Sequence, residues 1–93
     1  MKIDRIETNV YRLPLPTPVQ AASTGVMSEF DMVTCRITDS DGTNGSGYTV
    51  LFPGLGGAVA AIIDNGCRDI LAGADPRLIE GLWAQMWRRL HYS

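Results

Sequence analysis

Histidine and lysine are almost missing from this chain: His91 and Lys2 are the only examples, each beside a terminus. No aspartate or glutamate stands at metal-ligand spacing to the histidine, so a self-contained acid–base or metal centre is not expected. The two cysteines, Cys35 and Cys67, are far apart and form no CxxC motif. The first residues show no secretory signal pattern, so both are read as free thiols in a reducing compartment, the cytoplasm. There is no basic run, and the net charge is −2, which excludes nucleic acid and anionic membrane as expected partners. No apolar run approaches the roughly 20 residues that a membrane span requires.

What is present is a globular composition, 45% hydrophobic and 19% charged in 93 residues. That length makes one domain. A chain this short buries only roughly 60–65% of its unfolded surface, so its stability margin alone is thin.

Alternation opens the chain. Ile6, Thr8 and Val10 share one strand face, and Tyr11 and Leu13 continue on the other parity. The switch predicts a bulge or an end near Val10. Pro14, Pro16 and Pro18 lack the N–H that a ladder needs. Thr17 to Ser28 has no period and reads as a loop, long for a small domain and therefore of a functional kind. Phe30 to Thr38 is the clearest strand, with Val33, Cys35 and Ile37 on one face. Asp39 to Gly45 is a turn rich in residues that make Asx turns or accept positive φ, and it predicts a hairpin with the strand that follows. A calcium loop does not fit, because Asn44 stands at the required glycine and Val50 at the closing glutamate.

Gly45 to Gly57 holds five of the ten glycines around Tyr48, Thr49, Val50 and Phe52. It reads as a strand ending in a turn that opens a helix. Val59 stands where a dinucleotide fingerprint requires glycine or alanine, and the P-loop lysine is absent. The Gly54–Gly57 helix entry leaves anion binding as an open possibility. Val59, Ile62, Ile63, Cys67, Ile70 and Leu71 then recur at helical spacing, with Gly66 marking a close approach to a neighbour and Gly73 the stop. Asp75 is the expected N-cap of a second helix, with Pro76 in its first position. Its apolar stripe is Ile79, Leu82, Trp83, Met86, Trp87 and Leu90, expected to be core or to pack on something outside these residues. The chain stops at His91-Tyr92-Ser93 without a closing turn and reads as cut. The fold class is α+β, a three-stranded antiparallel meander followed by a helical bundle.

The string Gly45-Ser46-Gly47-Tyr48-Thr49, the Gly-rich entry to the first helix, Leu71-Ala72-Gly73-Ala74-Asp75-Pro76 and Ile79-Glu80-x-Leu82-Trp83-x-x-Met86 follow one another in a specific order. With the opening Met1-Lys2-Ile3-Asp4-Arg5-Ile6-Glu7, they resemble the N-terminal capping domain of the mandelate racemase/muconate lactonizing enzyme family in the enolase superfamily. The resemblance covers essentially the whole chain, residues 1–93. It implies a catalytic TIM barrel of roughly 200–250 residues outside this chain, carrying three carboxylate ligands for Mg²⁺ and the Lys or His acid/base groups. It implies proton abstraction next to a substrate carboxylate by a racemase, cycloisomerase or acid-sugar dehydratase. The expected partners are a small carboxylic acid, the protein's own barrel and further copies of itself in a homo-oligomer. No catalytic residue, metal ligand or bound cofactor is expected in the 93 residues themselves, which alone would not be catalytically competent.

By the same resemblance, Val19 to Met27 closes over the barrel mouth, where Val19, Ser23 and Val26 match substrate-facing positions. Phe52 matches an aromatic that lines the pocket, and Tyr48 stands where the family often has glutamate. The glycines of Gly45 to Gly57 would serve close packing against the barrel. Gln20 and Ser23 suit a hydroxyl of a polyol acid, whereas Val19, Val26, Met27 and Phe52 suit an apolar group. Sugar acids and aromatic acids both stay open on the residues alone. The alternative to a capping domain is a self-contained α+β interaction module that uses its Trp83/Trp87 helix.

Overall fold

A computed structural model describes residues 1–21 and 25–92 of the chain. Three strands, β1 (Ile3–Ala21), β2 (Gly25–Asp39) and β3 (Asn44–Leu51), precede α1 (Gly56–Ile62), a π-helical turn (Ile63–Cys67), α2 (Arg68–Leu71) and α3 (Ile79–Tyr92). The strands pair antiparallel in the order β1-β2-β3, which is the meander that the alternation implies.

The helices cover one end of one sheet face. Ile3 and Ile6 of β1 join Cys67, Leu71 and Leu82 as the buried cluster, with Cys35 and Ile37 of β2 packed against it. Ile3 and Ile6 differ in parity yet share that face. A register shift between Ile3 and Arg5 provides the explanation, because one extra residue turns the side-chain alternation over. The expected bulge near Val10 is absent: pairing runs unbroken from Arg5↔Thr38 to Pro14↔Glu29. Tyr11 and Leu13 lie on the sheet's other face, opposite Met32 and Phe30, and mark no irregularity.

The expected loop from Thr17 to Ser28 is largely a strand arm. β1 continues to Ala21 and β2 begins at Gly25, with Val19↔Met27 and Gln20↔Val26 in register. Between Pro14↔Glu29 and Val19↔Met27, β1 advances five residues against two on β2. Pro16 and Pro18 fall in that excursion, and Pro14 pairs at its edge. They are tolerated because β1 is an edge strand, where a missing donor breaks no second ladder. The β2–β3 turn follows the sequence: buried Asp39 accepts N–H bonds from Asp41 (2.9 Å) and Thr43 (3.0 Å), an Asx turn closed by Gly42 at φ +86°.

The first helix widens at Ile63–Cys67. Asp64 there accepts bonds from Thr8 Oγ1 (3.0 Å) and Arg68 Nη2 (2.8 Å), and Arg68 Nη1 donates to the Ile6 carbonyl (2.8 Å). These bonds fasten the π turn to β1. Gly66 supplies the expected close approach, since a Cβ there would meet Leu90 Cδ2 at 3.3 Å. The second helix starts later than Asp75-Pro76 predicts. Asp75 Oδ1 instead accepts the Arg77 N–H (3.0 Å), and the Asp75 carbonyl accepts the Leu78 N–H (3.1 Å). The two residues form a turn, and α3 begins at Ile79.

The apolar stripe of α3 is only half used. Leu82 is buried and Met86 packs on the core, whereas Ile79 is 72% exposed and Trp83 60%. Trp83 stacks on Trp87 at 6.3 Å between centroids, and Trp87 on His91 at 4.0 Å. Truncating Leu82 to alanine is expected to lower the unfolding free energy by about 2–4 kcal/mol, the range for a buried leucine. Exposed Gln85→Ala on the same helix should stay within about 0.5 kcal/mol. Urea unfolding of the two variants checks the assignment of the inward face.

Candidate functional site

β3 does not run straight into α1. Phe52-Pro53-Gly54-Leu55 intervene, with the Leu55 N–H donating to the Phe52 carbonyl (3.3 Å) and Gly54 at φ +93°. Proline at the second position and glycine at the third are what a type II turn requires. The turn stands against the end of the β1–β2 arm, and the two together form the site.

An apolar cleft of about 590 Å³ opens there, lined by Leu15, Met27, Phe30, Val50, Leu51, Phe52 and Leu55. A smaller, more polar cleft of about 300 Å³ adjoins it, lined by Val26, Met27, Ser28, Glu29, Phe52 and Pro53. Met27 and Phe52 belong to both. The structure therefore brings together three of the residues singled out in the sequence, Val26, Met27 and Phe52. Val19 and Gln20 lie directly across the arm, paired with Met27 and Val26, and neither lines a described cleft. Ser23 lies outside the described residues. Leu15, Phe30, Val50, Leu51 and Leu55 line the apolar cleft without having been singled out as site residues in the sequence. Phe30 had a signal: it is an aromatic on the face of β2 that the helices leave uncovered.

The residue that builds this corner is Asp31, which is 2% exposed. Its Oδ1 accepts from Arg12 Nε (3.0 Å), and its Oδ2 accepts from the backbone N–H groups of Gly54 (2.9 Å) and Gly56 (2.9 Å). Sequence reading passed over it as one polar residue in an apolar strand. Its partners are remote in the chain, and no local pattern predicts them. These bonds also decide the anion-site reading of Gly54–Gly57: Asp31 already takes up the Gly54 and Gly56 N–H groups. Hydrogen bonding from Arg12, then from the Gly56 N–H, holds the Asp31 carboxyl below the usual carboxylate range. Asp31 in turn raises the Arg12 guanidinium.

Among the described residues, no group of three or more His, Cys, Asp or Glu side chains is placed to hold a metal ion. The corner thus offers an apolar wall, a polar rim and a charge fully engaged in structure. Cys35 and Cys67 are free thiols, half-buried and buried, and burial pushes both upward, away from the thiolate that nucleophilic chemistry needs. No described helix is long and apolar enough to cross a membrane.

The depressed Asp31 carboxyl sets a pH dependence. A group whose folded value lies below its unfolded value, about 3.9, stabilises the fold above that pH and loses the contribution as pH falls through the folded value. The stability difference between the protein and its Asp31→Asn variant should be full near about pH 6 and shrink below about pH 4. Urea midpoints measured across that range check it, and a difference constant with pH would contradict the assignment.

Comparison with known proteins places this geometry. Residues 5–93 match the family described as mandelate racemase/muconate lactonizing enzyme, N-terminal domain. A 3,6-anhydro-alpha-L-galactonate cycloisomerase of Streptomyces coelicolor is 46% identical over 91 residues, covering 98% of this chain and 25% of that protein. A racemase from Streptomyces coelicolor, solved with bound magnesium, superposes with a TM-score of 0.91 at 47% identity, over 97% of this chain and 25% of that one. The L-Ala-D/L-Glu epimerase of Bacillus subtilis superposes at 0.75 with 26% identity, over 91% of this chain and 24% of that one. The chain thus spans about a quarter of the length of these relatives. Its sheet-then-helices fold and the match over residues 5–93 make it a member of the mandelate racemase/muconate lactonizing enzyme family of the enolase superfamily, in its N-terminal domain.

Proposed function

We propose that this domain caps the active site of a magnesium-dependent enzyme acting on a sugar-derived carboxylic acid, and that the corner between Met27 and Phe52 selects the substrate. The observation that carries the reading is the cleft itself: the β1–β2 arm and the Phe52 turn, from distant parts of the chain, meet around one open apolar space. The substrate class rests on the relative named for an anhydro-galactonate. A cyclic sugar acid presents C–H faces and hydroxyl edges together. Phe52 and Met27 suit the former, and Gln20, Ser28 and Glu29 the latter. Ser23 joins them through the family resemblance alone, and Val19 and Val26 flank the same arm.

In this reading, the metal ligands and acid/base groups belong to a barrel domain outside these 93 residues, and no residue here is assigned to magnesium. Magnesium held by that domain would supply stabilisation for the negative charge that develops beside the substrate carboxylate. The residues of this chain orient the distal part of the substrate and exclude water, which strengthens every electrostatic interaction beneath them. The exposed flank of α3, with Ile79 and Trp83, is where the barrel would pack. Family membership favours this over a separate interaction module. Assembly as a homo-oligomer and a cytoplasmic location rest on the resemblance and the thiols alone.

The test uses the full-length protein with Mg²⁺ and a panel of carboxylic acids. Phe52→Ala, and separately Val26→Ala, are expected to change the ratio of kcat/KM between a sugar acid and an aromatic 2-hydroxy acid by on the order of tenfold. That is the scale on which apolar pocket contacts discriminate. Magnesium affinity should be unchanged. Equal loss toward every acid would contradict the proposal.

A further inference from the structure

We infer that Asp31 is a positioning residue for substrate selection, its carboxylate holding the Phe52–Leu55 turn and β1 against the β2 wall of the cleft. The inference rests on the reading of that cleft as a substrate pocket, and it concerns what keeps the pocket in shape.

A carboxylate buried in a sheet face is unfavourable unless donors replace water. Asp31 has three, on two separate segments: Arg12 Nε on β1, and the N–H groups of Gly54 and Gly56. The last two flank Leu55, whose own N–H closes the turn on the Phe52 carbonyl. Both turn residues that line the apolar cleft therefore ride on a segment pinned at Gly54 and Gly56. Phe52 is 50% exposed, so side-chain packing holds it only in part, and the position of the backbone beneath it sets the rest.

The close fit of Gly56 belongs to the same device. A Cβ there would stand 2.7 Å from Val10 Cγ1 and 3.0 Å from Asp31 Oδ2, so the backbone approaches the carboxylate only because the side chain is missing. A requirement for stability alone does not call for this arrangement. Apolar residues of similar volume usually serve packing as well as a buried charge or better. The bond to Gly54 also lies before α1, inside the turn, where it adds nothing to the helix. What three directional bonds from two segments add is a fixed position.

Two measurements on the full-length protein test the inference. In amide hydrogen exchange, Asp31→Asn should accelerate exchange of the backbone at residues 54–56 at least about tenfold more than at Ile63–Leu71, whose exchange rises only by the global stability lost. Uniform acceleration, which a merely structural role would give, overturns the inference, as does no change. In kinetics, Asp31→Asn should shift the kcat/KM ratio between a sugar acid and an aromatic acid in the same direction as Phe52→Ala. It should do so mainly through KM, and the double variant should shift it no further than Phe52→Ala alone. An additive double variant, or an unmoved ratio, also overturns it. If Phe52→Ala itself leaves the ratio unmoved, the pocket reading falls, while the exchange result still decides whether Asp31 holds the turn. Should Asp31→Asn not yield folded protein, Arg12→Gln, which removes one of the three donors, is read by the same criteria.

Discussion

Water solvates a carboxylate so well that a protein can bury one only by surrounding it with replacement donors. Asp31 meets that condition with one guanidinium N–H and two backbone N–H groups. The condition has a geometric consequence. β1, β2 and the entry to α1 must all converge on one point, so the edge of the sheet and the first helix cannot be placed independently. Gly56 and the positive φ of Gly54 follow from it, because the backbone has to reach the carboxylate in a tight turn. The apolar cleft forms on the far side of that same convergence.

The sheet is thereby divided. Its end near Ile3 and Ile6 is covered by Cys67, Leu71 and Leu82 and carries the core. Its other end projects beyond the helices as the β1–β2 arm, with little behind it. An arm of this kind lends itself to contact with something outside the domain. The same holds for β3, exposed along most of its length, and for the outer flank of α3. The chain spans about a quarter of its relatives' length, and the arm, β3 and the outer flank of α3 are open surfaces among the described residues. The proposed role as a lid uses the arm for the substrate and the other surfaces for the barrel.

Much of this fold was legible where the signal is local. The alternation of Val33, Cys35 and Ile37, the Asx-rich turn at Asp39 and the helical period from Val59 each depend on neighbours in sequence, and each is found in the structure, except that the π-helical turn interrupts the period and Ile62, expected on its apolar face, is exposed. Legibility fails where the cause is remote or the signal ambiguous. Prolines 14, 16 and 18 hid the strand arm, because a missing donor looks the same in a loop as on an edge strand. The α3 stripe is wide enough for two opposed surfaces, and periodicity does not say which the domain itself covers. In the site, Val26, Met27 and Phe52 were named through the resemblance, whereas Asp31 was not. Its partners lie 19, 23 and 25 residues away, and only the folded chain brings them together. The glycines at 45 and 47 have open space around them, so their want of a side chain is not explained by contacts within the described residues.

The central claim is that the corner between Met27 and Phe52 meets the substrate. A crystal structure of the full-length protein with Mg²⁺ and an unreactive sugar-acid analogue tests it most directly. The account predicts side-chain atoms of Met27 and Phe52 within about 4.5 Å of the distal part of the ligand, the distance of ordinary apolar contact. A bound ligand with the corner turned away from it, or with the cleft filled by another part of the protein, would contradict the account.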